Sequence, residues 1–77
     1  EKDYQKSLAW YERAAQMWDP EAQFWAGLMY GRGLGTRPDL QKTVLYMKAS
    51  AAEGFPQAQA FMESYEQRMR QGQGSRR

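Results

Sequence analysis

The sequence predicts an all-α protein, an α/α solenoid of antiparallel helical hairpins with about four helices. Three observations lead there. Apolar residues recur at helical spacing, as at Tyr4, Leu8, Tyr11 and Ala15, and no segment alternates with a period of two. Gly and Pro cluster between such stretches, above all in Tyr30-Gly31-Arg32-Gly33-Leu34-Gly35-Thr36-Arg37-Pro38-Asp39, where they interrupt any helix. The two halves also align with a shift of 36 residues. Asp3 falls on Asp39, Gln5-Lys6 on Gln41-Lys42, Trp10 on Tyr46, Ala15 on Ala51, Pro20 on Pro56 and Ala22-Gln23 on Ala58-Gln59. Matches spread over two helices and their turn mark stacked hairpins, none of which buries its apolar side alone.

The first helix begins after Asp3, whose carboxylate accepts from an early backbone N–H, and runs to about Met17–Trp18. Asp19-Pro20-Glu21 opens the second. Asp serves as cap, Pro takes the first helical position where its missing N–H is harmless, and Glu sits in the electropositive first turn. That helix reaches about Gly31, with Ala22, Ala26, Met29 and Tyr30 on its buried side. In the glycine stretch Gly33 is the predicted left-handed terminator, Gly35 the point of close backbone approach, and Tyr30 the side chain beneath the corner. Asp39 caps the third helix, with Leu40, Val44, Met47 and Ala51 inward, and Gly54 ends it. Pro56 opens the fourth, which carries Ala58, Phe61, Met62 and Tyr65 and fades near Arg70. Residues 71–77, Gly-rich and aperiodic, read as a flexible tail, which leaves residues 1–70 as the single domain.

Composition narrows the function. Hydrophobic residues at 42% and aromatics at 14% exclude a disordered chain, while 77 residues allow only one small core. The net charge of +2 is spread without a basic stripe: Arg68, Arg70, Arg76 and Arg77 lie near Glu63 and Glu66 with no aromatic interleaving. No nucleic-acid partner is expected. No run approaches the ~18 apolar residues of a membrane span. The sequence holds no His and no Cys, so the commonest general bases, nucleophiles and transition-metal ligands are missing. Asp3, Asp19 and Asp39 are accounted for as caps, and the other carboxylates fall on solvated helix faces. Neither catalysis nor a cofactor is expected. The alternating glycines also fail as a phosphate loop, since the Gly-x-x-x-x-Gly-Lys-Ser/Thr pattern and a preceding strand are absent. The chain opens at Glu1 in text that is already helical, and reads as a piece of something longer.

Tyr30-x-x-Gly33-x-Gly35-x-x-x-Asp39-x-x-Lys42 resembles the signature of the Sel-1-like repeats, relatives of the tetratricopeptide repeats. Ala22-x-x-x-Ala26-Gly27-x-Met29-Tyr30 is similar to that family's first helix, and Tyr46-Met47-x-x-x-Ser50-Ala51-x-x-Gly54-x-x-x-Ala58 to its second helix and exit. The resemblance covers roughly residues 3–65 and implies one full repeat at about 22–56, flanked by half repeats. Trp18 stands where the family has a turn glycine, Thr43 where it has Ala, and Glu63 where its first helix has Gly, so the last helix reads as a degenerate, capping copy. The resemblance implies a protein–protein interaction module, an adaptor or scaffold fragment that binds a peptide or helix on its concave face. A glycan- or peptidoglycan-binding envelope unit, or an accessory domain of a larger enzyme, is the alternative. The compartment is left open between the bacterial envelope or periplasm and the cytoplasm.

Trp25, Leu28 and Arg32 occupy positions that the family usually leaves polar, and their spacing places them on one helix face. The 36-residue shift carries them onto Phe61, Ser64 and Arg68. With first helices lining the concave side, as the resemblance implies, Trp25 is expected beside Phe61 and Arg32 beside Arg68. Such an aromatic and basic face suits an apolar anchor with a carboxylate. Packing of Trp25 and Phe61 in the core, or beneath a further repeat, is the other reading of the same residues. Self-association is a second way to cover exposed aromatics. Trp10, Tyr11, Tyr46 and Met47 are assigned to the core.

Overall fold

Each helix begins where an aspartate or a proline dictates. The computed structural model describes residues 3–74, which form α1 (Tyr4–Gln16), α2 (Pro20–Arg32), α3 (Leu40–Ala52) and α4 (Pro56–Gly74). The starts of α1 and α3, and those of α2 and α4, are 36 residues apart. Asp3, Asp19 and Asp39 accept from the backbone N–H groups of Lys6 at 3.2 Å, Glu21 at 3.1 Å and Lys42 at 3.1 Å. These bonds satisfy donors that a helix start otherwise leaves without partners.

Neighbours in sequence pack in order, α1 on α2, α2 on α3 and α3 on α4, while helices two apart scarcely touch. The result is a flat zigzag of 45 × 26 × 17 Å, with α1 and α3 in one layer and α2 and α4 in the other. The core lies where three helices meet. Leu8, Ala26, Met29 and Tyr30 are its buried members, with Tyr11, Leu34 and Tyr46 packed against them.

The glycine corner fixes this arrangement. Gly33 caps α2 with φ 71° and ψ 35°, in the left-handed region. Gly35, at φ 78°, lies so close to α1 that a Cβ would fall 2.5 Å from the Tyr4 carbonyl oxygen. The corner therefore sets the bend from α2 to α3 and also seats the start of α1. The Asp39 N–H donates to the Tyr30 carbonyl at 2.9 Å, tying the far side of the loop to α2.

Three expectations are corrected. The helix does not fade near Arg70: α4 runs through Gly74, so residues 71–74 are not tail, and residues 75–77 lie outside the described residues. Gln, Met and Arg favour helix, and an exposed Gly costs only about 1 kcal/mol relative to Ala, too little to stop it. Trp10 is not core but 64% exposed. It is the counterpart of Tyr46, yet α1 has a packing neighbour on the α2 side alone. In α3 the inward residues are Thr43, Met47 and Ser50, while Leu40 is 60% exposed. Thr43 and Ser50 earn burial through hydrogen bonds: the Thr43 hydroxyl lies 3.0 Å from the Gly27 carbonyl oxygen, and the Ser50 hydroxyl donates to the Pro20 carbonyl at 2.7 Å. Met47 is buried as expected and Val44 and Ala51 are half-buried, so the polar side chains that stitch α3 to the α2 backbone share the inward face with the apolar stripe and only Leu40 is turned out of it.

Candidate functional site

Because alternate helices scarcely pack against each other, each layer is open between its two helices. One opening is a groove of about 750 Å³ between α2 and α4, floored by Leu40 and Thr43 of α3. The other is a cleft of about 380 Å³ between α1 and α3, floored by Gln23 of α2.

The groove collects four of the five residues expected to contact a partner: Leu28, Arg32, Phe61 and Arg68. Trp25 is not among them. Its ring lies against Tyr11, with centroids 6.4 Å apart, and edge-to-face with Phe24 at 5.4 Å. Trp25 is therefore not placed beside Phe61, whose ring stacks on Tyr65 with centroids 6.3 Å apart. The reason is angular. Each residue turns a helix by about 100°, so Phe24, Leu28 and Gly31 form the stripe toward α4, while Trp25 is rotated toward α1. Phe24 takes the place expected of Trp25 and also meets Phe55 at 5.2 Å. Tyr65 and Met69 of α4 complete the apolar wall. Phe24 was legible from its spacing of four before Leu28, and Met69 from its spacing of four after Tyr65. The two arginines are exposed, and no carboxylate lines the groove. Tyr30, Gly33, Gly35 and Asp39 are parts of the corner, outside the groove lining.

The cleft holds what the sequence did not reveal. Glu12, expected on a solvated face, is half-buried, and its Oε2 accepts hydrogen bonds from the phenols of Tyr30 at 2.7 Å and Tyr46 at 3.0 Å. These three residues come from three helices. The two rings stack with centroids 6.0 Å apart, and the Lys42 ammonium lies 5.0 Å from the Tyr30 ring centroid. Burial, reinforced by the Glu12 carboxylate, pushes the Tyr46 phenol far above its ordinary value. Tyr30 shifts the same way for the same reasons, with Lys42 opposing. Both phenols therefore hold their protons as donors to Glu12.

A family model for the Sel1 repeat matches residues 1–17 and 20–55. The chain belongs to the Sel1 repeat family. Sel1 repeats are non-catalytic and generally mediate protein–protein interaction. No curated protein and no solved structure matches the chain significantly. The break in the Sel1 match falls at Trp18 and Asp19, where the left-handed turn carries an indole. Helix α4 lies beyond the matched residues. There Glu63 stands in the register of Gly27, the glycine whose Cβ would meet the Tyr46 Cβ at 3.2 Å. Among the described residues no group of three or more acidic side chains is arranged to hold a metal ion, and no helix is long and apolar enough to cross a membrane.

Proposed function

We propose that this Sel1 repeat chain captures a partner protein in the α2–α4 groove, taking an apolar segment that carries carboxylates. The observation supporting this reading is the composition of the groove. Phe24, Leu28, Phe61, Tyr65 and Met69 offer apolar contact, while Arg32 and Arg68 are the only charges in the lining. An aromatic-lined concavity with uncompensated arginines favours an amphipathic helix with an acidic edge. Charge then sets which segment enters, and the apolar wall holds it.

The test uses two synthetic amphipathic helices with the same leucine stripe, one edged with glutamate and one with lysine. The acidic peptide is expected to bind at least roughly tenfold more tightly, a difference of about 1.4 kcal/mol. Arg32→Glu with Arg68→Glu is expected to reverse that order while circular dichroism stays helical. Equal affinity for both peptides, before and after reversal, overturns the reading. A second copy of the chain as occupant would appear as concentration-dependent dimerisation lost in Phe61→Glu. The glycan alternative rests on open aromatic platforms; in the groove Phe61 and Tyr65 stack on each other, and the exposed Trp10 and Trp18 lie outside it, so the groove favours the protein partner.

A further inference from the structure

The α1–α3 cleft carries three features that the repeat frame does not explain. The first is Gln23, only 3% exposed. Its Nε2 donates to the Ala15 carbonyl at 3.4 Å, but its buried Oε1 has no hydrogen-bond partner. Gln59, one repeat later, makes the equivalent bond to the Ala51 carbonyl at 3.1 Å from an exposed position. The frame therefore accounts for the donor half of Gln23 and leaves the buried acceptor, which is unfavourable without a donor. The Ala15 carbonyl fixes the orientation of the amide, since the reversed amide would set two acceptors against each other.

The second feature is Trp18. It is the only positive-φ residue other than glycine, at φ 64°, among the described residues, and its repeat counterpart is Gly54 at φ 94°. A large side chain is disfavoured in that conformation. The indole is 68% exposed and lines the cleft, so little burial compensates the strain. The third is Glu12. Two phenols fix the carboxylate through one oxygen, while Lys42, at the cleft edge, directs its ammonium to the Tyr30 ring.

We infer that this cleft receives a basic side chain of a partner protein, arginine above all. The walls formed by Ala15, Leu45 and Ala49 accept an aliphatic stem. The Gln23 Oε1 and the Glu12 carboxylate accept N–H groups, and the Trp18 indole offers a face to a planar cation. Arginine supplies five donors in a rigid plane that stacks on aromatic rings; lysine supplies the charge without the plane. This goes beyond the groove reading. The cleft opens through the other layer, calls for the opposite charge and shares no lining residue with the groove.

The test is an amide NMR titration of the whole chain with N-acetyl-arginine amide, alongside its lysine, norleucine and glutamate analogues. Saturable shifts at the Trp18 indole N–H and the Gln23 side-chain amide are expected, strongest for arginine, weaker for lysine and negligible for norleucine and glutamate. Glu12→Gln should weaken arginine binding about tenfold, and Lys42→Ala should strengthen it roughly twofold by removing a like charge. Trp18→Gly, which restores the residue found at the matching turn, should keep the fold and weaken binding several-fold. Equal shifts from the arginine and norleucine compounds, a preference for glutamate, or native binding by both Glu12→Gln and Trp18→Gly each overturn the inference. The readouts sit on residues outside the groove, so failure here leaves the groove reading standing, and the reverse holds.

Discussion

The α2–α4 groove and the α1–α3 cleft arise from the same event, two helices held apart by the one between them, yet they are equipped in opposite ways. The groove is wide and walled by aromatic and aliphatic side chains, with Arg32 and Arg68 as its charges. The cleft is about half as large, and its floor and wall present acceptors, the buried Gln23 oxygen and the doubly bonded Glu12 carboxylate. A repeat frame thus fixes where openings occur and leaves their chemistry to individual positions. Leu28 and Ser64 are repeat counterparts, as are Glu12 and Lys48, and neither pair has kept its character.

The strongest way to break the comparison is to remove one opening. Gly35→Val sets a branched side chain at φ 78° against the Tyr4 carbonyl, so α1 must leave its seat and the cleft loses a wall. A destabilisation of about 3 kcal/mol or more is expected in urea denaturation; an unchanged midpoint would mean that the corner does not anchor α1. Next in size is Phe61→Ala, which should weaken groove binding of the acidic peptide about tenfold, near 1.4 kcal/mol, and leave the arginine titration of the cleft unchanged. Loss of both activities would show that the two openings are coupled through α3.

Tyr46→Phe sharpens the comparison at the cleft alone. It removes one of two phenols from Glu12 and should cost about 1 kcal/mol of stability with little effect on the groove. Trp18→Gly should act in the other direction, stabilising by about 1 kcal/mol and raising Tm by roughly 4–8 °C as strain is relieved. A lower Tm would mean that the indole packs after all.

The smallest effect at neutral pH concerns alkali. Tyr46 and Tyr30 are raised by burial and by Glu12, so above the ordinary phenol range the unfolded chain loses protons that the folded chain keeps. The unfolded state then binds fewer protons, and stability falls as pH rises past about 10. The Tyr30→Phe, Tyr46→Phe double variant should flatten that fall in denaturation series at rising pH; an equal slope would place the effect elsewhere.

Local chemistry made most of the architecture legible. Asp3, Asp19 and Asp39 name helix starts because their carboxylates satisfy nearby N–H groups, and Gly33 and Gly54 name helix ends because only glycine adopts a left-handed turn without strain. The 36-residue recurrence followed from residues alone and specified hairpins that stack. Groove membership was half legible, through Leu28, Arg32, Phe61 and Arg68, because helical spacing gives a face to within about one residue. That tolerance misplaced Trp25: a single step of about 100° turns a side chain from one neighbouring helix to another. The burial of Thr43 and Ser50 in place of Leu40 depended on carbonyls of a different helix, and the exposure of Trp10 on which side of α1 has a neighbour.

The residues alone carried the order, the starts and the family of the helices, since those are set by interactions within a few residues. Only the packing of the helices brought together Glu12, Tyr30 and Tyr46 and left the Gln23 oxygen without a partner. Contacts between side chains 18 and 34 residues apart depend on how three helices cross. No periodicity within one helix records that crossing.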